Sequence, residues 1–442
     1  MTAFPKAAKA VIIGGGFTGL SAAFELARAG VAVTILEADD GLGGLGGGFK
    51  VADTTLERFY HHWFRSDTHI IDLIGELGAA DRVLFRPTRT GMYFANAFYR
   101  LSTPVDVLRF TPLGLVDRVR LGLLVLKVRR IQDWRPLEGI SVKEWLIGLA
   151  GPEVYRVVWE PLLIGKFGEF ADKISAVWMW NKLVLRGSSR SKGGGEQLAY
   201  FRGGFQSLAE LIGRDVEAHG GIIRRGTPAT GLVCADGRVT AVTTPHGEVP
   251  ADLVIATPAL PIIGHLIDGH VAPETRARFD RIEYLANVCL VLELDRSLSE
   301  TYWLNVNDPG FPFVAVIEHT NFEPASSYAG RHIVYLSKYT PADSAIYQMS
   351  PDELLAFALP HLQRMFPKFE PAWVRQHHAW HARYAQPIVE RHYSALMAPR
   401  ETPLANLFIA SMAQIYPEDR GTNYAVREGR AIGRELAESF RP

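Results

Sequence analysis

The sequence predicts an α/β fold, a Rossmann-like dinucleotide-binding domain carrying an inserted α+β domain. Three observations carry that reading. The chain opens on a short apolar strand, a glycine turn, a helix and a second strand that ends in an acid. Strand-and-glycine segments of the same character return after residue 198 and again near the C-terminus. Between them lie one stretch of mainly helical periodicity and one dominated by strands.

The opening unit explains itself residue by residue. Val11-Ile12-Ile13 reads as a buried strand, and Gly14, Gly16 and Gly19 give G-x-G-x-x-G. Gly14 allows the tight turn, Gly16 lets backbone approach a pyrophosphate, and Gly19 lets helix and strand pack closely. Phe17 and Thr18 sit in that turn, at a helix N-terminus whose free N–H groups favour phosphate. Leu20, Ala23, Phe24 and Ala27 form the helix face, and Gly30 stops it. The second strand, Val31 to Leu36, ends at Glu37-Ala38, where Glu37 is spaced from Gly14 to accept hydrogen bonds from a ribose. A second cluster, Gly41 with Gly43-Gly44-Leu45 and the glycines to Gly48, lets backbone reach the same diphosphate from its other side.

Composition bounds the rest. At 442 residues the chain has room for two or three domains, taking about 150 residues each. Its formal net charge is zero, so nothing suggests a nucleic-acid partner. The two cysteines, Cys234 and Cys289, lie in predicted strands with no C-x-x-C, as buried free thiols of a reducing compartment. The first ten residues lack a signal-peptide core. No uncharged apolar run reaches the roughly 18 residues of a membrane span, and Leu113 to Val128 is interrupted by Asp117, Arg118, Arg120 and Lys127. A soluble, cytoplasmic protein is expected, with room for peripheral membrane contact and an open oligomeric state. No metal-ligand pattern such as H-E-x-x-H occurs, so no metal is expected.

The G-x-G-x-x-G unit, Glu37-Ala38 and Gly43-Gly44 together resemble the FAD-binding N-terminus of the flavin amine oxidase superfamily. That group includes protoporphyrinogen oxidases and carotenoid desaturases and, more distantly, UDP-galactopyranose mutases. The resemblance implies FAD, held noncovalently, on a Rossmann-like FAD/NAD(P)-binding domain with an inserted α+β substrate domain. Leu45 stands where most amine oxidase relatives have a phosphate-neutralising arginine. The FAD domain is expected to be assembled from residues 1–82, 198–284 and 391–442. The substrate domain is expected from a mainly helical 83–197 and a sheet-rich 285–390.

In such proteins the stretch Phe59-Tyr60-His61-His62-Trp63 passes beside the flavin ring, so Tyr60 and His61 join the cofactor set and His62 becomes a catalytic candidate. On an extended strand His61 and His62 point opposite ways. A helix is predicted from Asp67 to Leu77. Short strands at Leu84–Phe85 and Met92–Phe94 precede helices at Pro104–Phe110, Leu113–Ile131, Val142–Leu149, Glu153–Ile164 and Lys173–Leu185. Glycines follow at 193–195 and at Gly203-Gly204, the latter resembling the superfamily's entry back into the FAD domain. Residues 221–233 read as strand, Asp236-Gly237 as a hairpin turn, and Asp252 to Ala256 as a buried strand. By resemblance, backbone near Ala229 meets adenine and Thr257 ends a strand near the cofactor. Strands are predicted at Asn287–Leu294, Phe313–Glu318, His332–Leu336 and Val374–Tyr384, with a helix at Pro351–Met365. The tail resembles the second FAD motif, with Ala410-Ser411 in place of Gly-Asp. Gly421-Thr422-Asn423-Tyr424 opens the last helix at the flavin edge, and Tyr416 is a second catalytic candidate.

The function implied is hydride removal by FAD from a largely apolar small organic substrate. The alternatives are a flavin-dependent sugar-nucleotide mutase, on the His62 segment and the tail tyrosines, and a flavoprotein with a binding or assembly role.

Overall fold

The computed structural model describes residues 8–100, 104–188 and 197–440. The glycine run at 193–195 therefore lies outside the described residues. Five strands form a parallel sheet in the spatial order Ile222–Arg224, Ala32–Leu36, Lys9–Ile13, Leu253–Ala256, Leu407–Ile409. Ala10–Ile13, after exposed Lys9, and Leu253–Ala256, in the middle, are apolar runs buried on both faces, as a covered parallel sheet requires.

The helix Phe17–Arg28 makes the crossover between the first two strands. The C-terminal helix Thr422–Glu438 lies parallel to it. Their approach is set by missing side chains: a Cβ on Gly429 would fall 2.2 Å from the Thr18 carbonyl oxygen, and one on Gly433 2.8 Å from that of Ala22. Arg430 and Arg434 then clamp the pair through Glu25, Arg434 at 2.9 Å, while Arg430 also holds Glu76 at the end of the helix Thr68–Glu76 at 2.7 and 2.8 Å. Parallel packing puts both helix N-termini at the carboxyl end of the sheet.

Residues 221–233 are two strands rather than one. Ile222–Arg224 joins the parallel sheet, while Gly231–Ala235 pairs with Arg238–Thr244 in a three-stranded antiparallel sheet completed by Gly247–Pro250. Gly226, at φ 56°, and Pro228 divide them. Asp236 and Gly237 both have positive φ, 50° and 70°, as a two-residue hairpin turn demands.

A seven-stranded sheet runs Val374–Pro387, Tyr284–Leu294, His332–Thr340, Ala315–Glu318, Trp303–Val306, Thr90–Phe94, Ala97–Arg100. Its last two strands come from the 83–197 stretch, which also holds the strand Val83–Pro87 and several helices. Cys289 is buried in this sheet, and burial pushes its thiol up; Cys234 lies part-buried in the antiparallel sheet, and both are free. The helices Leu115–Arg129, Val142–Ala150, Glu160–Phe167 and Ala176–Ser188 enclose Leu121, Leu124, Trp145 and Trp178. Ser141 and Glu144 form a reciprocal cap, with Glu144 N–H donating to Ser141 Oγ at 3.2 Å and Ser141 N–H to Glu144 Oε2 at 3.0 Å. The helix expected over 153–164 is interrupted by a π turn at Tyr155–Trp159, and Pro161 in the first turn of Glu160–Phe167 fits a fresh start there. Among the described residues no helix is long and apolar enough to cross a membrane.

Candidate functional site

The glycine turn is built to leave backbone bare. Gly14 has φ 103°, and a Cβ there would lie 2.5 Å from Thr257 Oγ1, whose hydroxyl donates to the Ile13 carbonyl at 2.8 Å. Thr257 thus closes the turn from the neighbouring strand. A Cβ on Gly19 would fall 2.0 Å from the Gly14 carbonyl oxygen, so only glycine lets the helix sit this close. The second cluster docks directly on the first: Gly43 N–H donates to Gly15 O at 2.9 Å, and a Cβ on Gly44 would meet Gly16 Cα at 3.3 Å. Leu45 lies part-buried in the short helical turn Gly44–Gly46. The Phe17–Arg28 helix has Gly16 as N-cap, with no side-chain cap bond and no acid in its first turn. The Thr422–Glu438 helix likewise begins at Gly421 with no side-chain cap bond. Two positive helix ends therefore stand uncapped by side chains at one end of the sheet.

Glu37 is 8% exposed and accepts from Gly15 N at 2.6 Å and from Asp39 N at 2.8 Å. Burial raises its pKa, against the amide bonds that lower it. The loop after Arg224 runs alongside, with Gly226 N–H on Asp39 O at 3.1 Å and Thr227 N–H on Glu37 O at 2.8 Å. This brings Ala229 into the same neighbourhood two residues later. Across the sheet, Ala410 N–H bonds to Ala256 O at 3.0 Å, which places Ser411 beside the end of the Leu253–Ala256 strand. Arg58 offers a cation at the glycine loop: its backbone N–H donates to Gly47 O at 3.0 Å, and its guanidinium meets Asp39 at 2.9 Å. It also lies over the Trp380 ring, 5.1 Å from the centroid, and its Nε is buried with no hydrogen-bond partner.

The stretch after Arg58 departs from the expected extended strand. Strand geometry starts only at Trp63–Phe64, because His61 folds back with Nδ1 2.5 Å from the Phe59 carbonyl oxygen. Nδ1–H is therefore the donor, and Nε2 is left as the acceptor. Burial pushes the His61 pKa down to about 4, with the Arg420 cation lowering it further, so the ring is neutral at neutral pH. His62 turns elsewhere: its Nδ1 lies 3.0 Å from the Tyr302 hydroxyl and its ring packs on Phe64, Tyr302 and Trp303. Tyr60 packs edge-on against Trp303, its centroid 5.0 Å away.

This stretch is anchored on both sides. Buried Glu57 accepts from Tyr200 Oη at 2.8 and 2.9 Å and from Phe205 N at 2.7 Å, while its own carbonyl takes the Tyr335 hydroxyl at 2.8 Å. Burial raises its pKa to about 7. Trp63 Nε1 donates to Thr422 Oγ1 at 2.6 Å, and Ile70 N–H to Asn423 Oδ1 at 3.1 Å. The side chains of Thr422 and Asn423 are thus spent on fixing the helix end. Burial raises the phenol of Tyr424, and Arg427 stacks 5.0 Å over its ring.

A buried charge cluster completes the site, and the sequence reading missed it. Lys182 Nζ lies 2.6 Å from Asp419 Oδ2 and Lys166 Nζ 4.0 Å from the same oxygen. Gln386 donates to Asp419 Oδ1 at 3.3 Å, and Asp419 N–H to Asn181 Oδ1 at 3.3 Å. Arg420 donates to the Ala385 carbonyl and, at 2.9 Å, to the Tyr339 hydroxyl. Lys166 sits among the rings of Trp178, Phe167 and Tyr339 at 4.7, 5.3 and 5.3 Å. Burial lowers its pKa well below the lysine range. Burial alone would raise the Asp419 carboxyl, but Lys182, Lys166 and Arg420 hold it far below the carboxylate range. Asp67 joins from the other side, raised to about 6 by burial with Lys182 opposing, and it accepts from Phe64 N at 2.8 Å. Tyr416 packs against Trp134 and Tyr393, ring centroids 4.9 and 5.3 Å away.

The profile of the flavin-containing amine oxidoreductases matches residues 17–432, almost the whole chain. This chain belongs to that family. Flavin is the family's cofactor. A phytoene dehydrogenase of Streptomyces griseus is 23% identical over 305 residues, 58% of this chain and 55% of that one. A carotenoid phi-ring synthase of the same organism is 31% identical over 163 residues, 32% of this chain and 31% of that one. The chain thus spans between about a third and just over half of these two relatives. A structure described as a protoporphyrinogen oxidase from Exiguobacterium sp. 255-15 superposes with TM-score 0.78 at 19% identity, covering 98% of this amine oxidoreductase chain and 100% of its own. Reduced UDP-galactopyranose mutase superposes with TM-score 0.73 at 15% identity, over 96% and 95% of the two chains. At these identities the structures share the fold alone.

Proposed function

We propose that this flavin amine oxidoreductase binds FAD noncovalently and oxidises a small organic substrate held between the helical layer and the seven-stranded sheet. The observation that carries the proposal is the pair of helix N-termini, uncapped by side chains, meeting at two interlocked glycine turns beside buried Glu37. The residues fit a dinucleotide: bare backbone for the diphosphate, an acid for the ribose, and the orphaned Arg58 Nε as the cation that Leu45 does not supply. Gly14, Gly16, Phe17, Thr18, Gly19, Gly43, Gly44 and Leu45 form the diphosphate cradle, Glu37 and Ala38 take the ribose, and Ala229 lies toward adenine. Thr257, Ser411 and Gly421 to Tyr424, with Tyr60 and His61, face the redox end. When bound, the flavin would supply a two-electron acceptor for hydride from a C–H bond, including one beside an amine nitrogen.

The chain's own residues prepare that chemistry. His61 is held neutral with Nε2 as acceptor, which suits it to take a hydrogen bond from substrate or cofactor and to orient it, while its lowered pKa disfavours carrying the proton itself. The helix end at Gly421 and the Arg420 guanidinium favour negative charge beside them. Aromatic rings around Lys166 and Tyr339 exclude water, which strengthens those interactions. His62 and Tyr416, bonded to Tyr302 and stacked on Trp134 and Tyr393, are assigned packing roles in this proposal. That weakens the mutase alternative, which leans on both.

The test begins with acid precipitation of the purified protein: all yellow colour should enter the supernatant and mass spectrometry should find FAD. Anaerobic mixing with amines, porphyrinogens and polyenes should then bleach the flavin band for one class. Turnover of a sugar nucleotide only after dithionite reduction, with no bleaching by any of these, would establish the mutase instead.

A further inference from the structure

The helix Leu115–Arg129 is apolar on two opposite faces, and only one is used by the fold. Leu121, Leu124 and Val128 point into the helical core. Leu115, Val116, Val119, Leu123 and Leu126 point to solvent, with Leu115 72% and Val116 65% exposed. At about 100° per residue these five fall within a roughly 100° sector, almost diametrically opposite the buried side chains. The short helix Pro104–Leu108 adds Val105 and Leu108, both more than half exposed. Arg118 ties the two helices together by donating to the carbonyls of Leu113 and Leu108, at 2.8 Å each. More than half of the large exposed apolar side chains among the described residues belong to this one hairpin.

The charge around it is not that of the chain as a whole. The protein is neutral overall, but residues 104–135 carry seven basic against three acidic side chains. The same wheel places Arg120 and Lys127 along one flank of the stripe and Arg129 along the other, with Arg130 at its end; all four are exposed. All three acids in this stretch are already engaged, Asp106 by Arg100 at 3.7 Å, Asp117 by Arg120 at 2.9 Å and Asp133 by Arg135 at 3.1 Å.

We propose that the 104–130 hairpin docks on an anionic lipid surface, with Leu115, Val119, Leu123 and Leu126 entering the acyl boundary and the flanking arginines and lysine meeting the headgroups. An apolar stripe edged by cations has the character of an interfacial helix, and long basic side chains reach up from such a stripe to the headgroup level. A second copy of the chain is a poorer occupant, because a self-complementary contact would set basic edges against basic edges. The charge supplies the specificity, so binding should weaken as salt rises.

The experiment is vesicle co-sedimentation of the purified flavin-loaded full chain, with phosphatidylcholine alone and with a third of it replaced by phosphatidylglycerol. The wild type should pellet with the anionic vesicles, much less with the neutral ones, and return to solution at high salt. Val119→Ser with Leu123→Ser removes exposed side chains that no core contact uses, so the variant should fold and keep its flavin while vesicle affinity falls at least tenfold. Arg129→Gln with Arg130→Gln should lose about fivefold per residue on anionic vesicles and little on neutral ones. Wild-type protein that stays in the supernatant with both compositions overturns the proposal. So does a concentration-dependent dimer, seen by analytical ultracentrifugation, that the serine pair abolishes while vesicle binding stays unchanged.

Discussion

Replacing Asp419 by asparagine tests whether the buried charge cluster organises the site. The carboxylate is 4% exposed and faces Lys182 at 2.6 Å and Lys166 at 4.0 Å. At an effective dielectric of about 20 these separations correspond to roughly 6 and 4 kcal/mol of attraction, before the desolvation of each ion is subtracted. The net loss on removing one partner of a buried pair is about 3–5 kcal/mol, because the remaining charges stay buried and unmatched. Lys182 keeps 36% of its side chain in contact with solvent, so the lower end, about 3 kcal/mol, applies. For a chain of this length an unfolding entropy near 0.9 kcal/mol/K turns that into a fall of about 3 °C in Tm.

The companion variant makes the argument decisive. Lys182→Met together with Asp419→Asn removes the cation that the first change orphans, so at least half of the lost stability should return. Scanning fluorimetry of both variants, with flavin release followed in the same runs, reads the effect. Asp419 directly precedes Arg420 and the helix start at Gly421, so Asp419→Asn should also release flavin at a lower temperature. A single variant melting within 1 °C of wild type, or a double variant no better than the single, would refute the cluster's role.

Glu37→Gln should weaken FAD binding about 10- to 100-fold through loss of charge-assisted hydrogen bonds, with little change in fold by circular dichroism; unchanged affinity in a titration would leave the acid a purely structural part. His61→Ala should shift the flavin spectrum and lower turnover about 2- to 10-fold, the loss of one hydrogen bond, whereas His62→Ala should mainly destabilise, since it deprives buried Tyr302 of a partner. The reverse pattern in spectra and melting curves would assign the flavin side to His62. Glu57 holds its proton up to about pH 7 in the fold but ionises near its ordinary value when unfolded. Its contribution is therefore complete below about pH 4.5 and lost as pH rises through 7, on the order of 3 kcal/mol. Glu57→Gln should flatten that slope in urea unfolding at pH 5 and pH 8, and a variant with the wild-type slope would show the carboxyl already ionised in the fold.

The fold was legible where local chemistry leaves little choice. The glycine turn could be read because each glycine answers a steric demand visible at short range, and the collisions at Gly14 and Gly19 are those demands in space. The hairpin at Asp236-Gly237 was legible for the same reason. Periodicity failed where the partner lies far along the chain. Residues 221–233 form one β-rich run in sequence, yet a parallel sheet claims its start and an antiparallel sheet its end. Met92–Phe94 reads as a strand, and Thr90–Phe94 is one, but its parallel partner Trp303–Val306 lies more than two hundred residues on, beyond the reach of any local pattern.

The site divides along the same line. Its nucleotide half is nearly contiguous, so motif and resemblance could nominate Gly14 to Glu37 and Gly43 to Leu45 together. Its charged half is made by Lys166 and Lys182 from two helices, Tyr339 and Gln386 from two strands, and Asp419-Arg420 from a loop. The four charged ones look like ordinary surface residues in sequence, and only the fold strips away their water. One signal was present: two lysines at 166 and 182 lie in segments otherwise crowded with Phe167, Trp178 and Trp180. A lysine between aromatic residues that must be buried either reaches solvent or finds an anion, and here Asp419 is that anion. The adjacent histidines show the limit of register arguments. Strict alternation assumes an extended strand, but this stretch is not extended: His61 folds back onto the Phe59 carbonyl and His62 reaches Tyr302, a side-chain contact 240 residues away that no local period contains.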